Sequence, residues 1–469
     1  MTTKNHPTSL ESNLSIPELR AAFKGQVIAP SDAAYDEART VFYGGIDRHP
    51  AVIIRVADAD EVARVISLAR ESGLELAIRS GGHSPFGHCV SEGGIVLDLS
   101  NMRDLQIDIE GRTAWVETGL TAGEFTSAAG AHGLAVGFGD TGSVGIGGIT
   151  LGGGVGYLVR KYGLTIDSLV AAEVVIANEQ LLHVDANNHP DLFWAIRGGG
   201  GNFGVATRFQ FRLHEVGPVV GGMLILPATA DVIAGFIAAA GAAPEELSTI
   251  ANVMTAPPMP MLPEEYYGKP VVMSILVYAG EAADAERVLA PFRALAKPLA
   301  DMVKPMTYPE IYPPEEGGYH PVAAGRTMFV DSIDSSVAET ILSYLRSSTG
   351  SMAVAQLRVL GGAMARVPAD ATAFAHRASK IMVNVAALYE NPDDQANHEA
   401  WVTEFAAALR QNDAGAYVNF LGVESEAGVR AAYPGGTWER LAAIKRHYDP
   451  TNLFRLNQNI PPTKDERSD

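Results

Sequence analysis

The sequence predicts an α+β protein of two domains, and three observations lead there. From about Ala51 to Val216, strand and helix signals alternate, the pattern of a mixed unit with its own core. After Gly217-Pro218 the character changes to alternating strands followed by Ala-rich amphipathic helices. That pattern reads as an antiparallel sheet with helices on one face. At 469 residues the chain is also too long for one small core. The expected division is residues 40–217, residues 218–415 and a C-terminal segment, residues 416–469.

Ala51–Ala57 (AVIIRVA) reads as a buried strand. Asp58–Gly73 follows as a helix, with Val62, Val65, Ile66 and Ala69 at helical spacing behind acidic residues and Gly73 as the stop. Leu76–Ile78 is a short strand that runs into the turn Arg79–His83. Ile95–Leu99 and Thr113–Glu117 are strands, and Thr121–Ala131 is helical. Gly137–Gly156 is too dense in glycine to be one regular element. Leu169–Ala177 and Leu181–Asp185 form a hairpin around Asn178-Glu179. Pro190–Arg197 is a short helix and Gly204–Val216 a long strand.

In the second unit, Gly222–Leu226 and Val271–Tyr278 are strands, and Asp231–Ala240 and Ala282–Ala296 are amphipathic helices. Lys304–Gly325 reads as loop from its proline and glycine content. Strand, helix and strand then recur through Val383–Leu388. Tyr417–Gly422 is expected to be a strand and Thr437–Tyr448 a helix, before a tail punctuated by prolines. Trp194 and Trp438 read as core aromatics.

Composition excludes several function classes. A net charge of −19 opposes nucleic acid and anionic membrane as partners, since either favours a basic patch. Cys89 is the only cysteine, which rules out an intrachain disulfide and a cysteine-based zinc site. His83 and His88 are five apart with no accompanying carboxylate cluster, so no metal site is expected. The start of the chain, Met1 to Pro17, is polar, and no apolar run reaches about 18 residues. A cytoplasmic location is the expectation.

Chemistry concentrates in the glycine runs. In Arg79-Ser80-Gly81-Gly82-His83-Ser84, two residues without Cβ precede an imidazole, so backbone and ring can both approach a bulky ligand. Gly139–Gly148 leads within two residues to Leu151–Gly156, and Arg197–Gly204 forms a third cluster. Backbone N–H groups freed in such runs can cradle a pyrophosphate, and the small side chains leave room for a flat ring. A dinucleotide fold of the strand–GxGxxG–helix type fits poorly. The segment after Gly156, Tyr157–Gly163, is too short for a crossover helix.

Together these residues resemble one family. Arg79–Ser84, Gly93–Ser100, Gly145–Gly156, Asp191–Arg197 and Gly198–Gly204 are similar to the FAD-binding domain of the vanillyl-alcohol-oxidase/p-cresol-methylhydroxylase flavoproteins. The tail, Tyr448–Phe454 followed by Asn457-Gln458-Asn459-Ile460, narrows the resemblance to the berberine-bridge-enzyme-like branch. The likeness runs from about Tyr43 to Pro462. It implies a two-domain α+β flavoprotein: a PCMH-type FAD-binding domain, rejoined by the C-terminal segment, and an antiparallel-sheet substrate domain.

The resemblance also assigns roles. His83 matches the histidine bonded to the flavin 8α-methyl group. Arg79, Ser80, Gly81, Gly82, Ser84, Gly142, Ser143, Gly145, Gly147, Gly148, Gly153, Gly154, Tyr157, Gly204, Val205, Asn457 and Asn459 fall in the FAD-contacting motifs. Many members make a second covalent bond through a cysteine. Thr141 stands at that position here, and Cys89 does not match it, so FAD bonded through His83 only is the expectation. Cys89 reads as a small buried residue.

On the substrate side, Val354, Gln356 and Arg358 share one face of the strand Met352–Leu360 by the period-2 rule. They either line a site above the flavin or lie on a half-solvated edge strand. Relatives can carry a glutamate base on this strand, and this chain has none. Tyr417 matches a family position near the flavin, where its phenol, its pKa lowered by Arg358, could assist proton removal. Packing is the alternative for that ring. His376 and Arg377 are similar to another family motif with no role assigned.

The implied activity is hydride transfer from an alcohol, amine or ring C–H of a small molecule to flavin, with O2 as the acceptor yielding H2O2. Oxidative cyclisation or rearrangement of a natural-product scaffold is a second reading, and flavin binding without turnover a third.

Overall fold

The computed structural model describes residues 14–312, 318–412, 415–422 and 426–463. Its first sheet forms where the apolar runs place it. Val52–Arg55 and Leu76–Arg79 flank Ile95–Asp98 in parallel, and Gln26–Ile28 adds an antiparallel edge. The helix Ala59–Ser72 is the crossover between the first two of these strands. Asp58 caps it by accepting from the Glu61 N–H at 3.0 Å, and Gly73, at φ 69°, ends it in a left-handed turn that other residues resist. The Val62, Val65, Ile66 and Ala69 stripe is buried against Val52, Ile54, Ile95 and Leu97.

The second sheet is antiparallel and five-stranded, in the order Leu105–Asp108, Thr113–Glu117, Val205–Arg212, Leu169–Val175, Leu181–Asp185. The expected hairpin is present. The long strand expected over Gly204–Val216 is split, because His214–Glu215 leaves the sheet to pair with Leu134–Ala135. Phe125, Phe138 and Phe211 meet edge to face beneath this sheet, and Trp194 and Trp438 are buried in the same core.

The third sheet is a roof of eight antiparallel strands. Its main path runs Ala300–Asp301, Val219–Pro227, Pro270–Tyr278, Leu247–Thr255, Met352–Val359, Ile381–Leu388, Ala323–Val330. Lys304–Met306 also pairs with Val219–Pro227. Part of the stretch expected as loop is therefore strand, since backbone pairing overrides its proline content; residues 313–317 of that stretch lie outside the described residues. The helices Ala230–Ala242, Ala285–Arg293, Ser335–Ser347 and Gln395–Leu409 cover one face with a continuous apolar layer. Met352–Val359 is a central strand, which removes the edge-strand alternative. Ala353, Ala355, Leu357 and Val359 join the helix-side core, so Gln356 and Arg358 project to the opposite face.

Tyr417–Gly422 is not a strand. Val418–Phe420 forms a 3-10 turn, closed by the Phe420 N–H on Tyr417 O at 2.9 Å, and no strand pairs with it among the described residues. The helix Thr437–Tyr448 matches expectation. Beyond it the tail is pinned to the third glycine cluster. Asn202 donates to Gly199 O and Gln458 O and accepts from the Ile460 N–H at 2.9 Å. No helix among the described residues is long and apolar enough to cross a membrane.

Candidate active site

A cavity of about 460 Å³ is lined by the glycine loops on one side and the bare face of the roof on the other. Its floor depends on two loops in backbone contact. A Cβ placed on Gly145 would lie 2.2 Å from Gly81 N, and one on Gly81 equally close to Gly145 N, so neither position accepts a side chain. Ser80 links the loops by donating to Thr118 O at 2.6 Å and accepting from the Gly147 N–H at 3.2 Å. His83 lies on this wall with Nε2 2.9 Å from Ser143 Oγ, and its ring stacks on Phe42 at 4.1 Å and 17°. Position and plane of the imidazole are thus both fixed.

Arg358 reaches down from the roof. Its guanidinium donates to Asp140 Oδ2 at 2.5 Å, to Val155 O at 3.1 Å, and through two nitrogens to Gln356 Oε1 at 2.7 and 3.0 Å. Gln356 passes the order on by donating to Asn252 Oδ1 at 3.1 Å. The Tyr417 oxygen accepts from the Gly154 N–H at 3.0 Å and from Asn419 Nδ2 at 2.8 Å. Burial pushes the Tyr417 phenol up, and the opposing effect of Arg358 is minor. The expected depression is therefore absent, and the phenol is neutral around pH 7. Burial likewise pushes Tyr43 up to about 12 and His88 down to about 4.

Most residues singled out in sequence line this cavity. Ser80, Gly81, Gly82, His83 and Ser84 do so from the first loop, and Thr141, Gly145, Gly147 and Gly148 from the second. Gly204, Val205, Asn457, Tyr417, Gln356 and Arg358 complete them. Others stand behind the wall. Arg79 turns away to Ala38 O and Cys89 O, which braces the first loop. Gly142 packs on Tyr312, Ser143 holds His83, and Gly153 and Gly154 back Tyr417. Tyr157 is buried with Tyr312, and Asn459 is half-buried outside the lining with its Oδ1 shielded from solvent. Asp140, Asn384, Asn419 and Phe420 line the cavity and were not singled out in sequence. Cys89 is buried, with its thiol pushed up by burial, yet it touches the cavity edge.

His376 and Arg377 are structural: His376 Nε2 bonds Ala432 O, and Arg377 grips Asp167 with two bonds of 2.7 and 2.8 Å. Among the described residues no group of three His, Cys, Asp or Glu gathers to hold a metal ion.

Residues 50–185 match the FAD-binding-domain family, and residues 416–461 match the family described as berberine and berberine-like. (R)-6-hydroxynicotine oxidase of Paenarthrobacter nicotinovorans is 30% identical over 480 residues, 97% of this chain and 99% of that one. The chain belongs to the berberine-bridge-enzyme-like FAD-linked oxidoreductases. An uncharacterized FAD-linked oxidoreductase of Bacillus subtilis is also 30% identical, covering 94% of this chain and 97% of the relative. The structure of 6-hydroxy-D-nicotine oxidase from Arthrobacter nicotinovorans superimposes with a TM-score of 0.84 at 28% identity, covering 94% and 98% of the two chains. Xylooligosaccharide oxidase from Myceliophthora thermophila, in complex with xylobiose, shares the fold with a TM-score of 0.83 at 24% identity and coverage of 96% and 100%.

The cavity suits the FAD of this berberine-bridge-enzyme-like family. Gly148 and Gly201 both line it, and a Cβ on either would meet no protein atom within 4 Å, so these glycines keep space open. Asn457 Oδ1 is buried on the lining and accepts no hydrogen bond from another described residue, as befits a ligand-facing acceptor.

Proposed function

We propose that this FAD-linked oxidoreductase is an oxidase that removes hydride from an alcohol, amine or ring carbon of a small molecule. Its FAD is attached through His83 alone, and O2 is the acceptor, giving H2O2. Residues 40–217 and 416–469 hold the cofactor, and residues 218–415 roof the substrate. When bound, FAD supplies the two-electron chemistry. The observation that carries the reading is His83, fixed by Ser143 and Phe42 on the wall of a glycine-lined cavity. A covalent tether needs one ring nitrogen aimed at a fixed atom, and that stacking restricts the ring plane.

The chain's own residues do the positioning. The Ser80 bonds to Thr118 and Gly147 clamp the loop that carries His83. Tyr417, Asn419 and the Gly154 backbone form a neutral hydrogen-bonded corner that orients a substrate without ionising. The roof closes over this corner with Gln356 and Arg358, and Phe420 stands 5.5 Å from the guanidinium and helps exclude water.

Thr141 lines the cavity where a second tether would attach, and its hydroxyl lacks the nucleophilicity of a thiolate. Cys89, with its thiol pushed up by burial, presents little thiolate. Relatives named as nicotine-derivative and xylooligosaccharide oxidases support small-molecule oxidation with O2. The test is an anaerobic stopped-flow screen against sugars, amines, aromatic alcohols and polyketides, followed by peroxide assay in air. Flavin bleaching with stoichiometric peroxide is expected. Bleaching without peroxide would make the enzyme a dehydrogenase, and no bleaching with any class would defeat the reading.

A further inference from the structure

Among the described residues that line the cavity, Asp140 is the only carboxylate and Arg358 the only Lys or Arg. They are 218 positions apart in sequence, one on a glycine loop and one on the roof, and they pair at 2.5 Å. The two partners are not equivalent. Arg358 is 4% exposed with all three guanidinium nitrogens engaged, so it is committed to the wall. The Asp140 side chain is 28% exposed, and its second oxygen, Oδ1, accepts no hydrogen bond from another described residue. A carboxylate held by one oxygen and open by the other is arranged to take a proton from something in the cavity.

The neighbouring groups do not compete for that role. Tyr417 is a neutral phenol whose oxygen already accepts two bonds. Burial, reinforced by Arg48, opposes a proton on His88. The roof strand that faces the site carries Val354, Gln356 and Arg358 and no carboxylate. Around Asp140 itself stand Arg358 from the roof, the buried Tyr157 and Tyr312, and the half-buried Tyr43. The Tyr157 hydroxyl donates to Asp140 O at 3.4 Å, and Tyr43 and Tyr312 feel its charge; all three phenols are pushed up.

We propose that Asp140 is a catalytic residue whose Oδ1 accepts the proton of the substrate hydroxyl or amine at the carbon being oxidised, with Arg358 as its positioning residue. This rests on the oxidase reading above. The substrate O–H or N–H bond breaks and its proton passes to Oδ1, leaving a neutral carboxylic acid. The adjacent C–H bond breaks with its electron pair, which leaves as hydride to oxidised FAD. The pair from the O–H or N–H bond becomes the second bond of C=O or C=N, so the substrate loses two electrons and FAD gains them. The substrate class follows: the oxidised carbon must bear a free hydroxyl or a primary or secondary amine, and ethers, esters and tertiary amines are excluded.

The test uses the flavin-loaded enzyme mixed anaerobically with glucose, xylobiose, vanillyl alcohol and benzylamine. The probe that bleaches native flavin fastest is then followed through the variants. Asp140→Asn should slow bleaching by at least about 100-fold. It should also lose the acidic limb of the pH profile, and lose the protonated-carboxyl infrared band that native enzyme gains on reduction. Its flavin content should match native enzyme, while loss of the anion beside buried Arg358 lowers its thermal midpoint. Arg358→Gln should slow bleaching as well, and the double variant should be no slower than Asp140→Asn alone, because both act through one carboxylate. Asp140→Glu keeps a carboxylate and should keep the acidic limb.

Bleaching by Asp140→Asn within about threefold of native, against the roughly 100-fold loss that removing a base predicts, overturns the assignment. So does an acidic limb that survives in Asp140→Asn or vanishes in Asp140→Glu. If no probe bleaches native flavin, the oxidase reading falls and takes this assignment with it. If native enzyme bleaches and Asp140→Asn keeps pace, only Asp140 falls.

Discussion

Replacing Asp449 by Asn removes the counter-charge of a lysine that has no access to water. The side chains of Lys445 and Asp449 are both 0% exposed. Lys445 Nζ donates to Asp449 Oδ2 at 2.7 Å, to Asn202 O at 2.7 Å and to Phe454 O at 2.8 Å, tying helix, glycine loop and tail together. In the variant the ammonium keeps two carbonyls and loses its only anion. Breaking a buried pair from one side costs about 3–5 kcal/mol. A ceiling comes from letting the lysine discharge instead: losing its proton at about pH 7, against an ordinary value of about 10.4, costs about 5 kcal/mol. The two figures agree, so the variant should lose about 3–5 kcal/mol at neutral pH.

The pH dependence gives a second handle. Burial already lowers the Lys445 pKa, and the charge of Asp449 and its hydrogen bond oppose that shift. Without them the folded value drops further, the unfolded chain binds more protons than the folded one, and stability rises with pH. Between about pH 7 and about pH 10 the deficit should shrink by up to about 1.4 kcal/mol per unit. Glu426→Gln, at a pair whose side chains are 47% and 62% exposed, is the control and should cost no more than about 0.5 kcal/mol. Urea unfolding followed by far-ultraviolet circular dichroism reads both. A loss under about 1 kcal/mol, or one equal at about pH 7 and about pH 9, would refute the reasoning.

Three further outcomes follow from the site. Gly145→Ala forces apart two backbones, with its Cβ 2.2 Å from Gly81 N, and should cost about 1–3 kcal/mol or more together with most of the bound flavin. Gly148→Ala meets no protein atom within 4 Å and sits in a helix. It should leave apoprotein stability unchanged or higher while flavin content, read from the visible-to-ultraviolet absorbance ratio, falls. Tyr417→Phe strands the Gly154 N–H and an Asn419 donor and should cost about 1–3 kcal/mol in urea. Because burial raises that phenol, native flavin bleaching should show no rise attributable to a phenolate between about pH 7 and about pH 9.

What the sequence made legible is what is decided locally. The Asp58 cap and Gly73 stop bracket the first long helix within one residue, and Thr437–Tyr448 matches end to end. The face of Gln356 and Arg358 followed from alternation alone. Leu247–Thr255 went unassigned because it is covered on both faces and shows no alternation. Tyr417–Gly422 has strand-forming residues, but they serve packing and the cavity wall, and among the described residues no strand pairs with them. Asp140 in a glycine run reads as a turn residue, and only the fold brings it to Arg358. The fall of the Tyr417 pKa expected from Arg358 weighed charge and left out burial, which a sequence does not report.

The most direct measurement of the central claim is peptide mass mapping of the purified, acid-precipitated enzyme. A yellow pellet is expected, with flavin on the peptide that contains His83 and on no other, and His83→Ala should give a colourless pellet. A colourless native pellet, or flavin on the peptides of Thr141 or Cys89, would contradict it.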